Sequence, residues 1–147
     1  MLPAHGGDGL QVLHASAVAV EDRGLLIAGA SGSGKSTLAL QLIGLGATLV
    51  ADDRVAVRRG REGGLMLAPV EPIEGMIEAR GIGLLAAPAT TALAVAIVDL
   101  DQTETERLPE PRSQVIAGEA LPLFRRVESP AFPFMLHLYL KGGRVSP

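Results

Sequence analysis

Cysteine is absent from the 147 residues. Disulfides, thiolate nucleophiles and cysteine zinc sites are therefore excluded together. The lack fits a reducing cytosol. Tryptophan is also missing and aromatics make up only 3%, so the core must be aliphatic. No run is apolar enough for a membrane span. The most apolar window, residues 83–100, is interrupted by Pro88, Thr90, Thr91 and Asp99. Its unbroken part, residues 92–98, is far short of the ~20 residues a membrane helix needs. Excess positive charge is missing as well: 13 basic residues face 16 acidic ones, for a net −3. Such a chain has no basic field to hold nucleic acid by its phosphates. Arg58, Arg59 and Arg61 have no aromatic interleaving and read as a solvated hairpin tip. The N-terminus shows no basic patch, apolar run and small-residue cleavage site in series. A cytoplasmic protein with no membrane or nucleic-acid partner is expected.

What remains is ordinary globular composition, 48% apolar and 20% charged. A chain of this length buries roughly two-thirds of its unfolded surface. It shows no internal repeat and no dividing linker, so one domain over residues 1–147 is expected. Residues 10–20 and 25–28 read as strands joined by a turn at Glu21-Asp22-Arg23-Gly24. Residues 35–45 read as a helix, with Leu38, Ala39, Leu42 and Ile43 at helical spacing and Gly46 beyond its end. Residues 48–51 form another short strand. Residues 55–57 and 65–67 flank a charged hairpin tip. Pro72, Gly75, Gly81 and Gly83 break any long element over residues 69–83. Residues 92–98 are the clearest later strand. Residues 101–113, with Pro109 and Pro111, read as a surface loop. Residues 115–116 and 121–124 suggest a last strand pair. Residues 134–140 are helix or strand, since periodicity cannot decide.

The strongest signal is Gly29-Ala30-Ser31-Gly32-Ser33-Gly34-Lys35-Ser36. It fits the phosphate-loop pattern at every fixed position, with a strand before it and a helix after it. Glycines let several N–H groups point inward as an anion nest, and the helix N-terminus adds partial positive charge. Lys35 would reach the β- and γ-phosphates of a nucleotide, and the Ser36 hydroxyl would hold Mg²⁺. Asp52-Asp53 closes the strand after the helix. Adjacent acids on a regular strand face opposite sides. Unless the strand has ended, one would help Mg²⁺ and the other accept a proton.

These segments together resemble a known family. Leu13-His14-Ala15-Ser16, the loop Gly29 to Ser36, Leu49-Val50-Ala51-Asp52-Asp53-Arg54 and Ile77-Glu78-Ala79-Arg80-Gly81-Ile82-Gly83 are similar to the C-terminal catalytic domain of HPr kinase/phosphorylase. The resemblance runs from about residue 10 to 85 and is patchy beyond. It implies an α/β fold, a mixed sheet with a central phosphate-loop helix. It implies an ATP- and Mg²⁺-dependent kinase for a seryl residue of the phosphocarrier HPr, with phosphorolysis as a reverse reaction. Asp53 matches the family's proton acceptor, Lys35 its loop lysine, and His14 its active-site histidine. Ser36 and Glu78 match magnesium ligands, with Asp52 nearby. Glu106-Arg107-Leu108 resembles a later Asp-Arg-Leu, which makes Arg107 a distant active-site arginine. His5 and His137 have no such match and read as structural. A homo-oligomer, a hexamer, is implied too.

Two departures stand out. Family members usually carry an additional N-terminal domain, whereas this chain begins almost at the His motif and looks like a short form. The family's Pro-Gly-Arg-Asn segment has its counterpart in residues 127–134, which hold no basic residue. That departure bears on phosphorolysis more than on kinase activity. A kinase for a small hydroxyl metabolite and a nucleotide-binding regulator remain alternatives. A strand-end base argues against a pure regulator. The absence of an insert long enough for a lid argues against a small-molecule kinase.

Overall fold

A computed structural model describes residues 10–71 and 73–143; His5 and Pro72 lie outside the described residues. The expected first strand is two. β1 (Gln11–Leu13) ends before His14, and β2 (Ser16–Val20) starts two residues later. A tight turn at Glu21-Asp22, with Glu21 at φ 57°, leads into β3 (Arg23–Ala28). The turn is thus shorter than expected, because Arg23 and Gly24 already pair with Val20 and Ala19. α1 (Lys35–Gly44) follows the glycine-rich loop and buries Leu38, Ala39 and Leu42. β4 (Thr48–Ala51) comes next.

β5 (Val55–Arg59) and β6 (Leu65–Ala68) form the expected hairpin. The segment read as broken holds a second hairpin, β7 (Met76–Ala79) with β8 (Gly83–Ala86). Its glycines are turn residues: Gly81 sits at φ 94° and Gly83 at φ 128°. β9 (Ala92–Thr103) is five residues longer than the strand expected over 92–98, so Asp101, read as the start of a surface loop, lies in a strand. β10 (Ser113–Ile116) and β11 (Glu119–Arg126) meet through Ala117 and Gly118, both at positive φ, as a two-residue hairpin turn demands. The C-terminal ambiguity resolves as α2 (Phe132–Gly142), with a proline in its first turn. Phe132, Leu136 and Leu140 share its buried face.

The main sheet runs β1-β5-β6-β9-β3-β2-β4, with β11 alongside the second half of β9 and β10 beyond it. β9 is parallel to both β3 and β11. β2 is antiparallel to both β3 and β4, so β3 and β4 run in the same direction. One sheet face packs Val18, Leu25, Ile27 and Val98 against α1 and α2 through Leu42, Leu136 and Leu140. The other face buries Leu26, Val50, Val57, Leu67 and Ile97. The alternation of Leu25, Leu26 and Ile27 between faces is the two-residue period of a strand. This topology brings the C-terminal ends of β3, β4 and β9, and the start of β2, to one edge. In open α/β sheets, ligand sites collect at the carboxyl ends of parallel strands.

Candidate functional site

The loop between β3 and α1 depends on glycine at two places. A Cβ on Gly29 (φ 150°) would stand 2.5 Å from the Ser33 hydroxyl oxygen. Gly34 caps α1 at φ 104°, a left-handed conformation that glycine adopts without steric cost. No side chain caps the helix, so its first amides point toward the loop's concave side. Lys35 is buried, and its ammonium donates to the carbonyls of Gly29 (2.8 Å) and Ala30 (3.0 Å).

At the end of β4 the two aspartates part company. Asp52 is buried. Its Oδ1 accepts from the hydroxyls of Ser36 (2.7 Å) and Ser16 (2.8 Å), and its Oδ2 accepts from the Glu78 amide (3.3 Å). Asp53 has left the strand and sits at φ 71°, so it is this backbone twist, not strand alternation, that separates the two. Its side chain is 62% exposed and accepts from His14 Nε2 at 2.7 Å. A carboxylate only accepts, so Nε2 carries the proton. Ala15 N–H donates to the Asp53 carbonyl (3.1 Å). That bond ties the gap between β1 and β2 to the end of β4 and fixes where His14 stands.

A cleft of about 310 Å³ is lined by His14, Ser31, Gly32, Gly34, Lys35, Ser36, Asp53, Glu78 and Arg80, among others. Glu78 reaches it from β7 and Arg80 from the turn that follows. Glu78 and Arg80 form no ion pair with each other among the described residues. Ser36 and Asp52 touch, and Ser36, Asp52, Asp53 and Glu78 line an adjoining hollow. Among the described residues no three His or carboxylate side chains converge as a metal cage. Magnesium seldom needs one, since it is usually held by one or two carboxylates plus phosphates and water. A contacting hydroxyl and carboxylate beside a loop of the phosphate-loop pattern therefore fit it.

The structure does not bring Arg107 to the cleft. It is exposed on the segment between β9 and β10. In that segment it is Arg112 that makes an ion pair, with Glu104. This bond, followed by the Glu106 amide, holds the Glu104 carboxyl below its ordinary pKa. His137 lies on α2, away from the cleft-lining set.

Three contributors were not legible in the sequence. Asp101, on β9, accepts from the Ala30 amide with both carboxylate oxygens (3.1 and 3.0 Å). Arg126, at the end of β11, donates through Nη2 to the Ser33 carbonyl and through Nε to the Leu100 carbonyl (3.1 Å). The basic group absent from residues 127–134 thus has a neighbour one residue upstream, braced against the loop. Ser16 is the third: it is fully buried and bonded to both aspartates. The Asp101 and Arg126 links pass through pairing of β9 with β3 and β11, which no local motif announces.

Comparison with known proteins places the chain in a family. Residues 9–96 match the model of the HPr Serine kinase C-terminal domain. The HPr kinase/phosphorylase of Geobacillus sp. (strain WCH70) is 45% identical over 73 residues, which is 50% of this chain and 24% of that protein. The chain therefore spans about a quarter of the length of the curated relative it matches. Among solved structures, the Hpr(Ser) kinase/phosphatase from Coxiella burnetii superposes with a TM-score of 0.72 at 23% identity. That alignment covers 89% of this chain and 94% of the other, and it shows a shared mixed α/β fold. With well over half its residues inside the family model, the chain belongs to the HPr serine kinase C-terminal domain family.

Proposed function

We propose that the chain is an ATP- and Mg²⁺-dependent protein-serine kinase whose substrate is an HPr-like phosphocarrier. One observation carries the reading: the glycine-rich loop with Lys35 and the exposed carboxylate of Asp53 open into the same cleft. A phosphate cradle alone would serve any nucleotide-binding protein. A carboxylate standing beside it supplies what transfer to a hydroxyl needs.

In this reading the amides of residues 29–36 and the N-terminus of α1, the phosphate-loop helix, hold the phosphates. Lys35 exchanges its loop carbonyls for phosphate oxygens. Ser36, Asp52 and Glu78 would hold Mg²⁺, which when bound neutralises charge on the phosphates. Asp53 takes the proton from the attacking serine hydroxyl, and His14 orients that carboxylate through its 2.7 Å bond. In phosphorolysis Asp53 returns the proton. Arg107 would join only if its segment moved toward the cleft. The exposure of Asp53 suits a protein substrate, which covers the site with its own surface and excludes water. A homo-oligomer, by family likeness a hexamer, is the proposed assembly.

The test is transfer of label from γ-labelled ATP, with Mg²⁺, to the host's HPr-like carriers. Label should appear on a carrier with the parental protein and be nearly lost with Lys35→Ala. Equal transfer by that variant would refute the assignment of the loop.

A further inference from the structure

β2 opens with a residue that its apolar strand does not require. The sequence Ser16-Ala17-Val18-Ala19-Val20 is buried throughout. A hydroxyl in such a strand must find partners, because leaving one unsatisfied in the core is costly. Ser16 finds two, and they are the two aspartates of the site. Its O–H donates to Asp52 Oδ1 at 2.8 Å, and its oxygen accepts from the Asp53 amide at 3.3 Å.

These bonds act on two different properties. Asp52 Oδ1 is shared between Ser16 and Ser36, so the Ser16 bond helps set how the carboxylate faces the Ser36 hydroxyl. Asp53 is held at φ 71°, a conformation that most side chains disfavour and that aspartate adopts only occasionally. Its amide is tied by Ser16 and its carbonyl by Ala15. A single hydroxyl thus spans the metal side and the proton-accepting side of the cleft, at the point where the chain leaves β4.

We propose that Ser16 is a positioning residue that couples Asp52 to Asp53. It rests on the kinase reading for its catalytic consequence, but not for its structural one. Ser16 does not line the cleft and acts only through the two carboxylates. Removing its hydroxyl frees the Asp53 amide and lets the Asp52 carboxylate turn. Nucleotide binding without metal should persist, while the Mg²⁺ requirement and the transfer rate both suffer.

The experiment compares Ser16→Ala and Ser16→Cys with Ser16→Thr, which keeps a hydroxyl. With Ala or Cys, transfer should fall about 10- to 100-fold, the span of a lost hydrogen bond to a charged group. The Mg²⁺ concentration for half-maximal nucleotide binding should rise several-fold. Thr should restore both wherever thermal melting shows that its methyl is accommodated. In an Asp52→Asn background, Ser16→Ala should leave the Mg²⁺ requirement nearly unchanged, because coupled residues do not add. Amide exchange gives a readout independent of nucleotide. The Asp53 amide should exchange about tenfold faster in Ser16→Ala, while Leu26 and Val50 stay protected. An unchanged Asp53 amide overturns the proposal. So does a loss spread evenly over stability and metal-free nucleotide binding, or effects that multiply in the double variant. If the parental protein transfers no phosphate, the kinase reading fails, and the Asp53 amide still decides whether Ser16 holds that residue.

Discussion

Replacing Asp53 with asparagine separates chemistry from binding. The side chain is 62% exposed, and among the described residues its side-chain partner is His14, itself 56% exposed. Exposed pairs of this kind contribute about 0–1 kcal/mol to stability. Asparagine also tolerates the left-handed backbone that Asp53 adopts. The fold should therefore lose no more than about 1 kcal/mol. The carboxylate comes from the end of β4 and bonds to His14, not to the loop amides, so ATP affinity should change by less than about threefold. The amide oxygen of asparagine is a very poor proton acceptor. Loss of a positioned base lowers the rate by about 10²–10⁴, which is about 3–5 kcal/mol on the barrier. The assay pairs ATP titration and thermal melting with single-turnover transfer to the carrier. Transfer at the parental rate would refute the role of Asp53. A parallel collapse of ATP binding would refute the separation of base from cradle.

Other outcomes follow from the same geometry. Gly29→Ala places a methyl 2.5 Å from the Ser33 hydroxyl oxygen at φ 150°, and ATP affinity by titration should fall more than tenfold. Leu42→Ala opens a cavity beneath α1, where Leu42 is fully buried; denaturant unfolding should show a loss of about 2–5 kcal/mol. The Glu104 carboxyl is held low chiefly by its bond to Arg112. Its folded pKa lies below its unfolded one, so the stabilisation is complete above the ordinary carboxylate range and disappears as pH falls through the lowered value. Carboxyl NMR titration should show Glu104 protonating below 4.5, and Arg112→Ala should move it back toward that value.

The parts of the site that are contiguous in the chain were legible. Gly29 to Ser36 and Asp52-Asp53 announce themselves because each cluster's chemistry is local. The β7–β8 hairpin was not, because Gly81 and Gly83 read equally as breakers and as turn residues, and only their positive φ decides. α2 was ambiguous because Phe134, Met135 and Leu138 are exposed yet apolar. They hide the helical stripe of Phe132, Leu136 and Leu140. Asp101 and Arg126 bond to the loop across 71 and 93 residues of sequence. Those contacts exist only because β9 runs parallel to β3 and β11. Ser16 was quoted as part of a motif, but nothing in an apolar strand reveals which carboxylates its hydroxyl will meet.

If this cleft moves the γ-phosphoryl group of ATP to a serine hydroxyl of a protein, the identity of the phosphorylated residue reveals it. The most direct measurement maps the phosphorylated residue by mass spectrometry after incubation of the host's HPr-like carriers with ATP, Mg²⁺ and the protein. One phosphoserine should form on a carrier with the parental protein and be reduced at least about a hundredfold with Asp53→Asn. Phosphate found on a histidine, on a small metabolite, or only as free phosphate would contradict it.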